Sequence, residues 1–225
     1  MPDVSVPVAK ATKQVRLVTN QNTKIQVRTA SIEILVGGPY GDHAYGHAAL
    51  RVTTSEVDKV FDYGRYGKTW GVGGSQGEGI LNIWNNSAPY IRGENALGRV
   101  TTGFTYETTE ENANKVLAFY EQKIAGKKIK SKTSAKTSVI IDEYYALGPN
   151  CTTLSVSGAK VIFPDIDRDR AKHQQGRGLG LMEKSLVRAK GWPDNIFMPA
   201  DLQSMLQNST SRKAKTVTTY GGGAK

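Results

Sequence analysis

A thiol attacks carbonyl carbon as thiolate, and two devices bring its pKa down toward neutrality: a helix N-terminus and a nearby imidazole. The single cysteine of this 225-residue chain, Cys151, lies in "GPNCTTLSV". Pro149 and Asn150 close the segment before it, and asparagine is a favoured N-cap, so the pattern predicts Cys151 at the opening of a buried helix, "CTTLSVSGAKVIF". The base would be His47, in "AYGHAALRV". The alternation there predicts a strand, with His47 and Arg51 on one face. A base also needs a third group on its other ring nitrogen. In "KVFDYG" an acid, Asp62, stands alone in a β-tending apolar stretch, which is costly without a partner. If that segment folds back around "SEVD" as the hairpin partner of the histidine strand, Asp62 faces His47. Asp42, His43 and Asn150 are the alternatives for the third position. Taken singly, a lone cysteine or a lone strand histidine is more often structural than catalytic; it is the conjunction that points to a thiol enzyme.

The elements that must position these residues are legible in part. "IEILVGG" reads as a strand, closed by the turn material "GGPYGD". "ILNIWNNS" reads as another, and the glycine-rich "GKTWGVGGSQGEG" as a loop. "TTEENANKVLAFYEQKIAG" is a helix capped by Thr108 or Thr109, with Val116, Leu117, Phe119, Tyr120 and Ile124 near one face and Gly126 as its stop. "KKIKSKTSAKTS" is a basic loop or edge strand. "GLGLMEKSLVRAKGW" and "MPADLQSMLQNS" are later helices, the second with Pro199 in its first turn and Leu202, Met205 and Leu206 on one side. Strands first, then a helix, then the cysteine helix, make an α+β pattern: an antiparallel sheet packed against helices. Residues 1–30 read as an N-terminal extension or edge strand, 31–210 as the domain and 211–225 as a flexible basic tail.

Composition narrows the chemistry. The formal charge is +10, and residues 168–225 hold eleven Lys/Arg against four Asp/Glu, a net +7 that would favour an anionic partner. No RNP aromatic set, GxxG clamp or zinc finger is present, so nucleic acid is not expected. One cysteine excludes an internal disulfide, and without CxxC or HExxH no metal is expected. The glycine-rich stretch lacks both GxxxxGK[ST] and GxGxxG, so no nucleotide cofactor is expected either. No apolar run approaches the roughly 20 residues of a membrane span, and no secretory leader is evident.

The run "YGHAALRV…VFDYGRYG", followed much later by "NCTTLSV", resembles the permuted branch of the papain-like NlpC/P60 superfamily, in which the histidine strand precedes the cysteine helix. The "NC" step is similar to that of lecithin–retinol acyltransferase-like proteins, and the full chain is similar to TseH-like cell-wall hydrolase effectors of type VI secretion systems. The resemblance covers residues 40–155. It implies Cys151 as nucleophile, His47 as base and Asp62 at the third polar position, where many members carry histidine, asparagine or glutamine. It further implies cleavage of amide bonds in the peptide part of peptidoglycan, delivery without a signal peptide to the periplasm of a target bacterium, and an immunity protein and a secretion-apparatus carrier as partners of a monomeric chain. Two other functions stay open: a thiol acyltransferase or lipase, and a non-enzymatic basic binding module.

Overall fold

The computed structural model describes residues 29–41, 44–70, 76–145, 148–181, 184–185 and 197–222. The proposed N-terminal extension, all but its last two residues, and most of "GLGLMEKSLVRAKGW" lie outside the described residues. The chain is an α+β fold built on one large antiparallel sheet. Its strands are β1 (Thr29–Gly37), β2 (His47–Thr53), β3 (Asp58–Gly64), β4 (Thr69–Trp70), β5 (Gln76–Trp84), β6 (Thr101–Thr109), β7 (Lys128–Lys132), β8 (Lys136–Tyr145) and β9 (Thr216–Tyr220). The spatial order is β7-β8-β5-β3-β2-β1-β6-β9, with the short β4 also paired to β5.

The central strands are apolar on both faces because both are covered. Ile32, Ile34, Val36, Leu50, Val52, Phe61 and Phe104 form the larger core, under α2 (Glu110–Ile124), α3 (Cys151–Lys160) and the helix we number α5 (Pro199–Asn208). On the other face Leu35, Ala49 and Val60 pack with Tyr90 of α1 (Ser87–Ala96). A four-residue helix, α4 (Arg170–His173), lies against α5.

The β2–β3 hairpin forms around the expected turn, with Thr53 opposite Asp58 and Ala49 opposite Asp62. Thr109 caps α2, its hydroxyl accepting from the Asn112 N–H at 3.2 Å. The left-handed Gly126, at φ +69°, follows its end. α5 carries Pro199 at its start and buries Leu202, Met205 and Leu206. α3 approaches the sheet closely because residue 158 has no side chain: a Cβ there would lie 2.6 Å from the Tyr120 hydroxyl and 2.9 Å from Leu50.

Four differences from the sequence reading have local causes. The cysteine helix ends at Lys160, and Val161–Phe163 leave it in a turn, so it is shorter than the apolar run suggested. The glycine-rich stretch is not all loop, because Thr69–Trp70 and Gln76–Gly79 pair in the sheet. Residues 216–220, placed in a flexible tail, form the edge strand β9 on β6, as their β-branched "TVTTY" allows. Helix α1 was not anticipated. At the opposite edge β7 is exposed throughout and presents Lys128, Lys130 and Lys132, charges that discourage pairing with another chain.

Candidate active site

Cys151 is the first residue of α3 and is 3% exposed. The cap is reciprocal. Asn150 Oδ1 accepts from the Thr153 N–H at 3.1 Å, while Thr153 Oγ1 accepts from the Asn150 N–H at 2.9 Å. Asn150 therefore serves the helix start, and its Nδ2 donates to the Phe197 carbonyl. A helix start also favours negative charge on the residue that opens it.

His47 opens β2 at the end of the sheet where α3 begins. The preceding Gly46 has φ +70°, and a Cβ on it would stand 2.6 Å from the Gly37 carbonyl oxygen. Only glycine makes this turn, and the turn aims the imidazole. Asp62 sits opposite Ala49, two residues along from His47, so it lies diagonally across the strand pair on the same face. The result is a hydrogen-bonded ion pair, His47 Nε2 to Asp62 Oδ1 at 2.6 Å. Nε2 is taken by Asp62, and the charges of His47 and Cys151 act on each other, each favouring the other's ionised form. The sulfur accepts from the Tyr144 hydroxyl at 3.8 Å.

Three opposing effects fix the protonation states. Burial alone would push the Cys151 thiol up; the His47 charge and hydrogen bond, the Ala48 N–H and the Tyr144 hydroxyl outweigh it and hold the thiol below its ordinary value. Burial would push the imidazole down; the charges of Cys151 and Asp62 and their hydrogen bonds hold it well above its ordinary value. Asp62 is likewise buried, yet His47, Tyr66 and Asn82 keep its carboxyl below the usual range. Each shift favours the charged form of its group: thiolate, imidazolium and carboxylate.

The structure brings Cys151, His47 and Asp62 together. Of the alternatives for the third position, Asn150 is the helix cap, and Asp42 and His43 lie outside the described residues. The supporting shell of Asp62 was not anticipated. Its Oδ1 also accepts from the Tyr66 hydroxyl at 2.7 Å, and its Oδ2 accepts from Asn82 Nδ2 at 3.2 Å and Trp84 Nε1 at 3.3 Å. Asn82 is oriented in turn by Ser138, whose hydroxyl donates to its Oδ1 at 2.6 Å. The sequence carried one signal for this shell: Asn82 in "ILNIW" is a lone polar residue in an apolar strand, as Asp62 is in its own. Beside the sulfur, the ring of Tyr144 lies 5.3 Å from that of Tyr63, whose hydroxyl donates to Asp142.

A cleft of about 330 Å³ opens onto His47, and Tyr66, Tyr144, Glu94 and Arg99 are among its other lining residues. Among the described residues, no group of three His, Cys, Asp or Glu side chains converges on a point that could hold a metal ion. No helix among them is long and apolar enough to cross a membrane.

Compared with protein-family models, with curated proteins and with solved structures, the chain matches none.

Proposed function

We propose that the chain is a cysteine hydrolase that cleaves amide bonds in the peptide part of bacterial peptidoglycan, in the manner of a type VI secreted antibacterial effector. The observation that carries the enzymatic reading is the buried row of Cys151, His47 and Asp62, with the sulfur at a helix start. A structural cysteine has no need of an imidazolium, and a structural histidine has no need of a carboxylate held by three further donors. Such a row supports nucleophilic catalysis on an acyl carbon. We further propose that the core is papain-like with the chain order permuted: β2 with its histidine comes before α3 with its cysteine.

In this mechanism the Cys151 thiolate attacks the carbonyl carbon of the scissile amide. The carbonyl oxygen becomes an oxyanion, for which the N–H groups of the first turn of α3, Cys151's own among them, are the available donors. His47 protonates the leaving amine from Nδ1, the C–N bond breaks, and a thioester remains. The now neutral His47 takes a proton from water; the hydroxide adds to the thioester, the C–S bond breaks, and thiolate and imidazolium are restored. Asp62 keeps the ring in place and stabilises its positive charge throughout. The family resemblance and the basic charge of the chain support the peptidoglycan target.

The test is incubation of purified protein with peptidoglycan sacculi and separation of the muropeptides released. New muropeptides that vanish with Cys151→Ala support the reading. Cleavage that persists in Cys151→Ala removes the nucleophile from the proposal.

A further inference from the structure

We propose that the cavity between β6 and the segment leading into β9 is a binding site for a phosphate group, free or carried as a monoester, with the Tyr106 hydroxyl and the Arg212 guanidinium as its donors. The site stands apart from the thiol and does not depend on the hydrolase reading.

The cavity holds about 420 Å³, and Tyr106, Glu107, Phe163, Arg212, Lys213 and Lys215 are among its lining residues. Phe163 follows the C-terminal end of α3, and Cys151 is at the other end, so a helix roughly 15 Å long separates the two sites. Three cations against one acid give these residues a net charge of +2. Glu107 lies 3.7 Å from Lys215. Arg212 is fixed from two directions. Its Nε donates to Asp165 Oδ1 at 3.0 Å, with Nη2 2.9 Å from the same oxygen, and the Phe163 ring lies 4.3 Å from the guanidinium carbon. That pairing uses Nε and Nη2 and leaves Nη1, at the far end of a rigid fork, outside it.

Tyr106 supplies the second, independent observation. It is 3% exposed, its ring packs 5.9 Å from that of Phe163, and its buried hydroxyl has no hydrogen-bond partner. A hydroxyl taken out of water unpaired destabilises a fold, and phenylalanine would fill the same space without that penalty. Packing therefore does not explain the oxygen. Burial raises the phenol to a pKa of about 12, against the opposing pull of Arg212, so at neutral pH the group is a hydrogen-bond donor. A buried donor without an acceptor, within the field of a guanidinium, lacks an anionic oxygen. A phosphate brings several acceptor oxygens to one point, and its dianion matches the net charge of the lining. A carboxylate carries half that charge. The cavity is also of the size that takes a small organic ligand, so it has room for the group that carries the phosphate.

The test titrates the full chain calorimetrically with inorganic phosphate, glucose 1-phosphate and acetate at constant ionic strength. A pH of about 7.5 lies above the second ionisation of a phosphomonoester, at about 6. At least one phosphate should bind, and acetate should bind about tenfold or more weakly than it. Tyr106→Phe should lower phosphate affinity by about tenfold, since it removes one charge-assisted hydrogen bond. Without ligand its melting temperature should equal or exceed that of the parent, because the hydroxyl has no protein partner to lose. Arg212→Gln should lower the affinity by at least as much. Tighter binding of glucose 1-phosphate assigns the site to an esterified phosphate; equal or tighter binding of inorganic phosphate assigns it to the free ion. Binding of neither phosphate, acetate binding as tightly as phosphate, or affinity unchanged in Tyr106→Phe overturns the proposal. A lower melting temperature of unliganded Tyr106→Phe overturns it too, since the hydroxyl would then serve the fold.

Discussion

β2 and β3 hold two acid–base clusters on one face, four residues apart, and only one of them is built for chemistry. At one end His47 meets Asp62. At the other Arg51 donates through Nε and Nη2 to both oxygens of Asp58, and through Nη1 to Glu33 at 2.9 Å. Glu33 also accepts from the Tyr220 hydroxyl of the edge strand β9 at 2.8 Å. The diagonal register across the strand pair is the same at both ends. The cations differ. Burial would lower the Arg51 pKa, but Asp58 and Glu33 raise it still further, so the guanidinium never yields its proton. His47 sits beside a thiol and can pass a proton on. The same scaffold thus makes a clamp at one end and a proton-transfer site at the other, and the side-chain type decides which.

That contrast can be broken at either end. Cys151→Ala and His47→Ala should each lower kcat/KM by about 10³-fold or more, because members of such a unit act together, and Cys151→Ala, which leaves the His47–Asp62 pair whole, should do so with little change in melting temperature; muropeptide release and calorimetric melting read the two effects. Asp62→Ala should cost about 10²- to 10⁴-fold in turnover, since His47 loses its orienting acceptor. Arg51→Met should do the reverse: it leaves Glu33 buried without its cation and costs about 2–4 kcal/mol of stability, while turnover of the folded fraction stays within about twofold. Denaturant unfolding of this variant beside Cys151→Ala would show whether the two clusters divide as described.

The pH profile sharpens the comparison further. The thiol is held below and the imidazolium above its ordinary value, each by the charge of the other. Activity should rise with pH through the thiol's ionisation and fall as pH climbs through that of His47. Removing the Asp62 charge withdraws support from the imidazolium, so in Asp62→Ala the alkaline limb should move to lower pH. Ultraviolet titration of the thiolate in His47→Ala should show Cys151 ionising at higher pH than in the parent chain. The smallest effect belongs to Tyr66→Phe, which removes one of the four donors to Asp62 and should cost about tenfold or less.

How much of this could be read from the residues depended on sequence distance. The hairpin was legible because "SEVD" joins two β-tending runs, and its register then placed Asp62 near His47. α2 and α5 were legible from Thr109 and Pro199 at their starts and from apolar residues at helical spacing. α1 was not, since Pro89 and Gly93 interrupt "SAPYIRGENA" and few of its residues are apolar. The donors around Asp62 were hidden for another reason. Tyr66 follows β3, Asn82 and Trp84 belong to β5, and Ser138 belongs to β8, so only the pairing of β3 with β5 and of β5 with β8 gathers them. Nothing local in "ILNIW" tells which strand will lie beside it.

The four donors to Asp62 also restrict what the chain can tolerate at that position. Each oxygen receives two hydrogen atoms, from His47 and Tyr66 on one side and from Asn82 and Trp84 on the other. An asparagine at 62 would turn an NH₂ toward one of these pairs whichever way its amide flipped, setting donor against donor in a buried site. A neutral amide at this position is therefore closed to this sequence one substitution at a time. A change at residue 62 must travel with changes at 66, or at 82 and 84, and these positions should vary as a set among any descendants of this chain.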